Sequence, residues 1–145
     1  MITSNTVQVQ APAAEVWAVF ADVERWPDWT PSVTSVEPLD GPLARDVRFA
    51  IRQPRLPRLV WRVVDLEPGR SWVWRAGGPG GRTFAHHLVE AQDDGSTLVT
   101  QRIDQRGISV LFGLLSRGLT RRYLAEEAAG LKAACERRAH RAAQP

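Results

Sequence analysis

Polar and apolar residues alternate from Thr6 to Gln10, the period of a short β-strand. The pattern changes at Pro12, which suits the first turn of a helix, and Glu15 follows near the positive end of the helix dipole. Val16, Trp17, Phe20 and Val23 then recur at helical spacing and predict a helix over about 12–24. The stretch Trp26-Pro27-Asp28-Trp29-Thr30-Pro31 ends it, because each proline biases its predecessor away from the helical region. Six strand-like runs follow, at 33–39, 46–53, 59–66, 71–76, 82–91 and 97–105. Turn signals divide them: Asp40-Gly41-Pro42, Pro54-Arg55-Leu56-Pro57, Glu67-Pro68-Gly69-Arg70, the glycines around Pro79, and Asp93-Asp94-Gly95-Ser96. Short turns between successive strands imply an antiparallel meander.

From Ser109 to about Ala139 the period is helical again. Leu124, Ala128, Leu131 and Cys135 form one stripe. Ile108, Leu111, Phe112, Leu115 and Leu119 form another, out of phase with the first by almost half a turn. Either the helix breaks near Gly118, or its first turns are apolar on two sides, as a helix at a cavity mouth would be. The order strand, helix, six strands, long helix predicts an α+β domain over residues 1–140. A curved antiparallel seven-stranded sheet would wrap around the last helix, because a one-sided helix must bury its stripe. Residues 141–145 are expected to be a frayed tail.

Composition bounds the function. The chain has 145 residues, 43% apolar and 24% charged, which suits one globular domain and argues against disorder. The pI is near 10.0, yet the arginines are scattered among Asp and Glu and Lys132 is the one lysine. Without clustered charge or a recognition motif, nucleic-acid binding is not expected. Cys135 stands alone and reads as a buried thiol. Neither a basic start leading into an apolar stretch nor a run of about 20 apolar residues is present. A cytoplasmic location without integral membrane insertion is therefore expected. No nucleophile elbow, phosphate loop or zinc motif occurs, so neither cofactor nor metal is expected.

The element order and the run from Val16 to Trp29, Val16-Trp17-Ala18-Val19-Phe20-Ala21-Asp22-Val23-Glu24-Arg25-Trp26-Pro27-Asp28-Trp29, resemble the START-like (SRPBCC) superfamily, which includes bacterial polyketide cyclase/dehydrase-like proteins. So do Glu67-Pro68-Gly69-Arg70 before Trp72-Val73-Trp74, and the hairpin ending Asp94-Gly95-Ser96-Thr97-Leu98-Val99-Thr100. The resemblance runs from about Thr6 to Arg138. It implies a helix-grip fold with a hydrophobic cavity between sheet and C-terminal helix. Members bind lipids, sterols, polyketides or plant hormones, and a minority are cyclases or aromatases.

Within that frame, candidate wall residues follow from strand and helix periodicity. Trp72 and Trp74 share a strand face, and their indoles combine apolar area with a polar N–H. Phe84, His86 and Leu88 are expected inside together, His87 outside. A two-residue hairpin loop would set His86 opposite Ile103 and Leu88 opposite Gln101, bringing Val99, Gln101 and Ile103 to the same face. Phe20, Phe49, Ile51, Leu115 and Leu124 complete the apolar candidates. Thr120 and Tyr123 could offer hydroxyls, and Trp26 and Trp29 could border the entrance. For His86 a satisfied buried histidine competes with ligand contact; for Tyr123 an interfacial ring competes with it.

Two functions stay open. The first is binding of a small hydrophobic molecule such as a lipid, polyketide or aromatic metabolite, by a monomer or homodimer. The second is a polyketide cyclase/aromatase working by acid–base chemistry in the same cavity, with His86 and Tyr123 as weak catalytic candidates. A partner-binding surface over the stripe from Ile108 to Leu119 is a third, weaker reading.

Overall fold

Seven strands pair antiparallel in the computed structural model, which describes residues Met1–Pro145, and their spatial order is β1-β7-β6-β5-β4-β3-β2. They are β1 (Ile2–Val9), β2 (Ser35–Pro38), β3 (Arg48–Arg52), β4 (Leu59–Glu67), β5 (Ser71–Gly78), β6 (Gly81–Ala91) and β7 (Thr97–Gly107). Helices are α1 (Ala13–Phe20), α2 (Ser109–Leu115) and α3 (Arg117–Ala142), with a 3-10 helix at Val23–Asp28. The expected meander of the last six strands is therefore observed, with β1 added beside β7, and β1 starts earlier than the alternation indicated. The sheet's pairing shifts between Val63 and Asp65, a β-bulge that bends the long strands.

Two helix boundaries differ from expectation. The first helix stops at Phe20 rather than near Glu24, and the Trp26 indole N–H occupies the Phe20 carbonyl at 2.8 Å. That carbonyl would otherwise accept the next helical bond. The chain resumes as a 3-10 helix containing Pro27, which buries Trp26. The C-terminal helix breaks at Ser116, two residues before Gly118. Ser116 bonds backward, its hydroxyl donating to the Phe112 carbonyl at 2.9 Å. The two out-of-phase stripes thus belong to two helices. α3 also continues to Ala142, past the expected start of the tail.

The α3 stripe is buried as its spacing requires: Leu124, Ala128, Leu131 and Cys135 are all in the interior. Burial also pushes the Cys135 thiol up to about 11. The Asn5 amide donates to the Leu124 carbonyl at 3.1 Å, and the Lys132 ammonium reaches the Gln8 carbonyl at 3.1 Å. Both bonds hold α3 against β1. At Gly130 the helix comes so close to the Trp29 carbonyl that a Cβ would overlap it.

At the centre sits an aromatic cluster. Trp26 stacks on Phe20 with centroids 5.6 Å apart and contacts Trp74 at the same separation, and Trp61 packs on Trp74 at 5.8 Å. Trp17, at the expected core spacing, meets Trp72 edge-on at 5.6 Å. No helix is long and apolar enough to cross a membrane.

Candidate functional site

The β6–β7 hairpin decides which side chains face inward. Ala91 pairs with Thr97, and the Gln92 N–H donates to the Ser96 carbonyl at 2.9 Å, leaving Asp93-Asp94-Gly95 as a three-residue loop. Gly95 has φ +85°, the left-handed position such a loop demands, and the Asp94 carboxylate accepts from the Ser96 N–H and hydroxyl at 2.9 and 2.6 Å. The odd loop length shifts the register by one residue from that of a two-residue turn. One residue is enough to exchange the faces of a strand.

The consequence for the expected wall is direct. His87, not Leu88, lies opposite Gln101 and is buried, whereas His86 pairs with Arg102 rather than Ile103. Phe84, His86 and Leu88 turn to the outer face; Arg106 lies over the Phe84 ring at 4.8 Å and Arg102 approaches His86 at 3.5 Å. On β7 the expectation agrees with the structure: Val99, Gln101 and Ile103 face inward.

A cavity of about 370 Å³ lies between the inner sheet face, α2 and α3. Its walls include Trp26, Ile51, Trp74, Gln101, Ile103, Thr120, Tyr123 and Leu124 from the expected set, and His86 also borders it although its ring turns to Arg102. Phe20, Phe49, Trp72 and Val99 are instead packed solidly in the core, Trp29 is half-buried outside the wall, and Leu115 is 82% exposed on α2. Residues not anticipated from sequence include His87, Glu127, Trp61, Ala85 and Gln105.

Two parallel series run from mouth to floor. On α3 they are Thr120, Tyr123 and Glu127, spaced one turn apart and spanning about 10 Å along the axis. On β7 they are Gln105, Ile103 and Gln101. At the mouth stand Ile108 and Phe112, 72% and 48% exposed, beside the β3–β4 loop. The Tyr123 hydroxyl donates to the Pro54 carbonyl in that loop, fastening α3 to it. α2 sits tightly over β7 because Gly113 has no side chain: a Cβ there would run into the Gln105 amide.

The floor is polar. The Gln101 amide N–H donates to Glu127 Oε2 at 3.0 Å. Glu127 is 7% exposed, and burial raises its carboxyl to about 7, with bonds from Gln101 and Ser32 opposing that rise. Across the sheet from Gln101, His87 stacks on Trp72 and bonds the Trp72 carbonyl through Nδ1 at 3.3 Å. A carbonyl only accepts, so Nδ1 carries the proton and Nε2 is left with a lone pair. Burial pushes this imidazole down to about 3, and it is neutral near pH 7. No lysine or arginine lines the cavity. No group of three or more His, Cys, Asp or Glu is placed to hold a metal ion.

Glu127 was detectable in principle. It falls one turn beyond Tyr123 and three residues beyond Leu124, so the helix period that buries those residues buries it too.

Solved structures share this architecture. The Zhui aromatase/cyclase from a Streptomyces species is 21% identical and superimposes with a TM-score of 0.73, covering 100% of this chain and 99% of that one. A START superfamily protein from Mycobacterium smegmatis is 18% identical with a TM-score of 0.74, covering 94% and 97%. A point mutant of Thalictrum norcoclaurine synthase, in complex with a transition-state analogue, is 12% identical with a TM-score of 0.72, covering 95% of each. At these identities the likeness establishes the START-like helix-grip fold and nothing about chemistry. No curated protein matches the sequence at a significant level. The family model described as polyketide cyclase/dehydrase and lipid transport matches residues 2–136, and the chain belongs to that family.

Proposed function

We propose that the protein binds a small hydrophobic molecule, a lipid, polyketide or aromatic metabolite, in the cavity between the sheet and α3. The observation that carries this reading is the cavity itself. It holds about 370 Å³ in a wall dominated by Trp26, Trp61, Trp74, Ile51, Ile103 and Leu124. Ligand sites have this character: mostly apolar walls, a few polar groups, and volumes of roughly 300–1,000 Å³. The family description and the names of the structural neighbours support binding or conversion of such molecules.

Native mass spectrometry of the purified protein, together with titration by 1-anilinonaphthalene-8-sulfonate, tests it. The expected result is a co-purified compound or saturable probe binding that Ala85→Leu weakens at least tenfold. Ala85 lines the middle of the cavity and is 4% exposed, so added methyl groups there occupy ligand space. Probe binding unchanged by the substitution would refute the assignment.

One observation favours a second reading, acid–base catalysis in the same cavity. A carboxyl with its pKa near 7 exchanges protons readily at neutral pH, the property a cyclisation or dehydration step asks of its catalyst. Under that reading Glu127, rather than His86 or Tyr123, is the acid–base group. Glu127→Gln would then abolish turnover of a polyketide substrate while leaving its binding intact.

A further inference from the structure

The polar groups at the cavity floor are unequally matched, and that imbalance bears on ligand chemistry. The Trp26 N–H is already given to the Phe20 carbonyl. One Gln101 N–H is given to Glu127 and one His87 N–H to the Trp72 carbonyl. What remains for a ligand is one Gln101 N–H against three acceptors: Gln101 Oε1, Glu127 Oε1 and His87 Nε2. Gln101 Oε1 and His87 Nε2 have no protein partner, Glu127 is met only by Gln101 and Ser32, and none of the three groups is sealed from the cavity. The surroundings supply no positive charge. Around Glu127 stand Gln101 on β7, Ser32 after the 3-10 helix and Glu126 on its own helix, with neutral His87 on β6 opposite Gln101.

We propose that the ligand is an apolar amine that enters head first and places its ammonium group against Glu127, Gln101 Oε1 and His87 Nε2. The proposal rests on the ligand-binding reading above and narrows it. At pH 8, where Glu127 is ionised, a carboxylate or phosphate head would meet three lone pairs with a single N–H to receive it, at a depth where water cannot screen the repulsion. A protonated amine supplies three donors and one positive charge, the complement of this floor. The apolar body would lie along Trp61, Trp74, Ala85 and Ile103 toward the mouth at Phe112.

Four probes with one body and different heads separate the possibilities: 2-ethylnaphthalene, 2-(naphthalen-2-yl)ethanol, 2-(naphthalen-2-yl)ethylamine and 2-naphthylacetate. Calorimetric titration at pH 8 is expected to show the amine binding at least tenfold tighter than the alcohol and a hundredfold tighter than the carboxylate. Affinity for the amine should fall on going from pH 8 to pH 5.5, as Glu127 takes up its proton, while that for 2-ethylnaphthalene stays level. Glu127→Gln should bring the amine down to the affinity of the alcohol. Carboxylate binding as tight as the amine, or an amine advantage that survives Glu127→Gln, overturns the proposal while the cavity assignment stands. If 2-ethylnaphthalene also fails to bind, the cavity assignment falls and takes this one with it. Should Glu127→Gln not fold, as judged by circular dichroism, the pH series on the unmodified chain decides alone.

Discussion

The His87 imidazole lies flat on the Trp72 indole, ring centroids 4.1 Å apart and planes within 9° of parallel. Phe20, Trp26 and Trp74 close around the same ring at 5.5, 5.9 and 5.0 Å. Burial against so much apolar surface disfavours the charged imidazole, just as burial across the cavity floor disfavours the charged carboxyl of Glu127. The floor therefore holds a neutral base beside an acid that keeps its proton unusually long.

These two groups act oppositely on stability as pH changes. Between about pH 4.5 and 6.5 the unfolded chain carries a proton on His87 that the folded chain lacks, since the folded value is about 3 and the ordinary one 6.5. Stability from His87 thus rises with pH. Over the same interval the folded chain keeps a proton on Glu127 that the unfolded chain loses, its value going from 4.5 to about 7. Stability from Glu127 falls with pH, by about 1.4 kcal/mol per pH unit, so the two contributions cancel. Removing Glu127 should uncover the other one. Urea denaturation is expected to show Glu127→Gln gaining about 3 kcal/mol relative to the unmodified protein between pH 4.5 and pH 7. A constant difference across that range would mean Glu127 titrates normally in the fold.

Gly130 separates helix propensity from packing. Alanine is intrinsically better than glycine inside a helix by about 1 kcal/mol. Here the added Cβ would overlap the Trp29 carbonyl, a backbone atom that cannot rotate away. Gly130→Ala should lower stability by about 1–3 kcal/mol, and a rise in melting temperature would show that α3 has room to move off that loop.

The two apolar stripes should respond very differently to truncation. Leu131 is 1% exposed on α3 and Leu115 is 82% exposed on α2. Leu131→Ala is expected to cost about 2–5 kcal/mol through lost burial and a residual void. Leu115→Ala should change stability by less than about 0.5 kcal/mol. Chemical denaturation of both variants checks the pair, and comparable losses would mean that α2 is covered in solution.

The tie between Tyr123 and the Pro54 carbonyl also has a measurable consequence. Tyr123→Phe keeps the ring, 7% exposed as a residue, and removes the one bond that joins α3 to the β3–β4 loop at the mouth. A loss of about 1 kcal/mol is expected, with faster amide exchange concentrated around Gln53 to Leu56. Unaltered exchange there would show that the loop is held by its other contacts.

Most of the scaffold was readable along the chain because its causes are local. Alternation marked the seven strands, and the spacing of Leu124, Ala128, Leu131 and Cys135 marked the buried face of α3. Trp74, Gln101, Ile103, Thr120 and Tyr123 were placed at the cavity by the same periods. Errors arose where a period had to be given a phase. The β6 alternation was right, but its inward members are Ala85, His87 and Val89, because a three-residue loop replaces the two-residue turn. The two out-of-phase stripes likewise leave a break near Gly118 as one of two readings, and only the structure places it, at Ser116.

What the sequence determined by itself was a curved seven-stranded sheet gripping a C-terminal helix, since short-range patterns of burial follow directly from residue order. Only the tertiary structure decided that His87 rather than Leu88 lies opposite Gln101, and that Glu127 completes the floor. Those facts depend on hairpin register and on how α3 is rotated against the sheet. Contacts between residues far apart in the chain set both, and there a displacement of one residue reverses which chemistry faces the cavity.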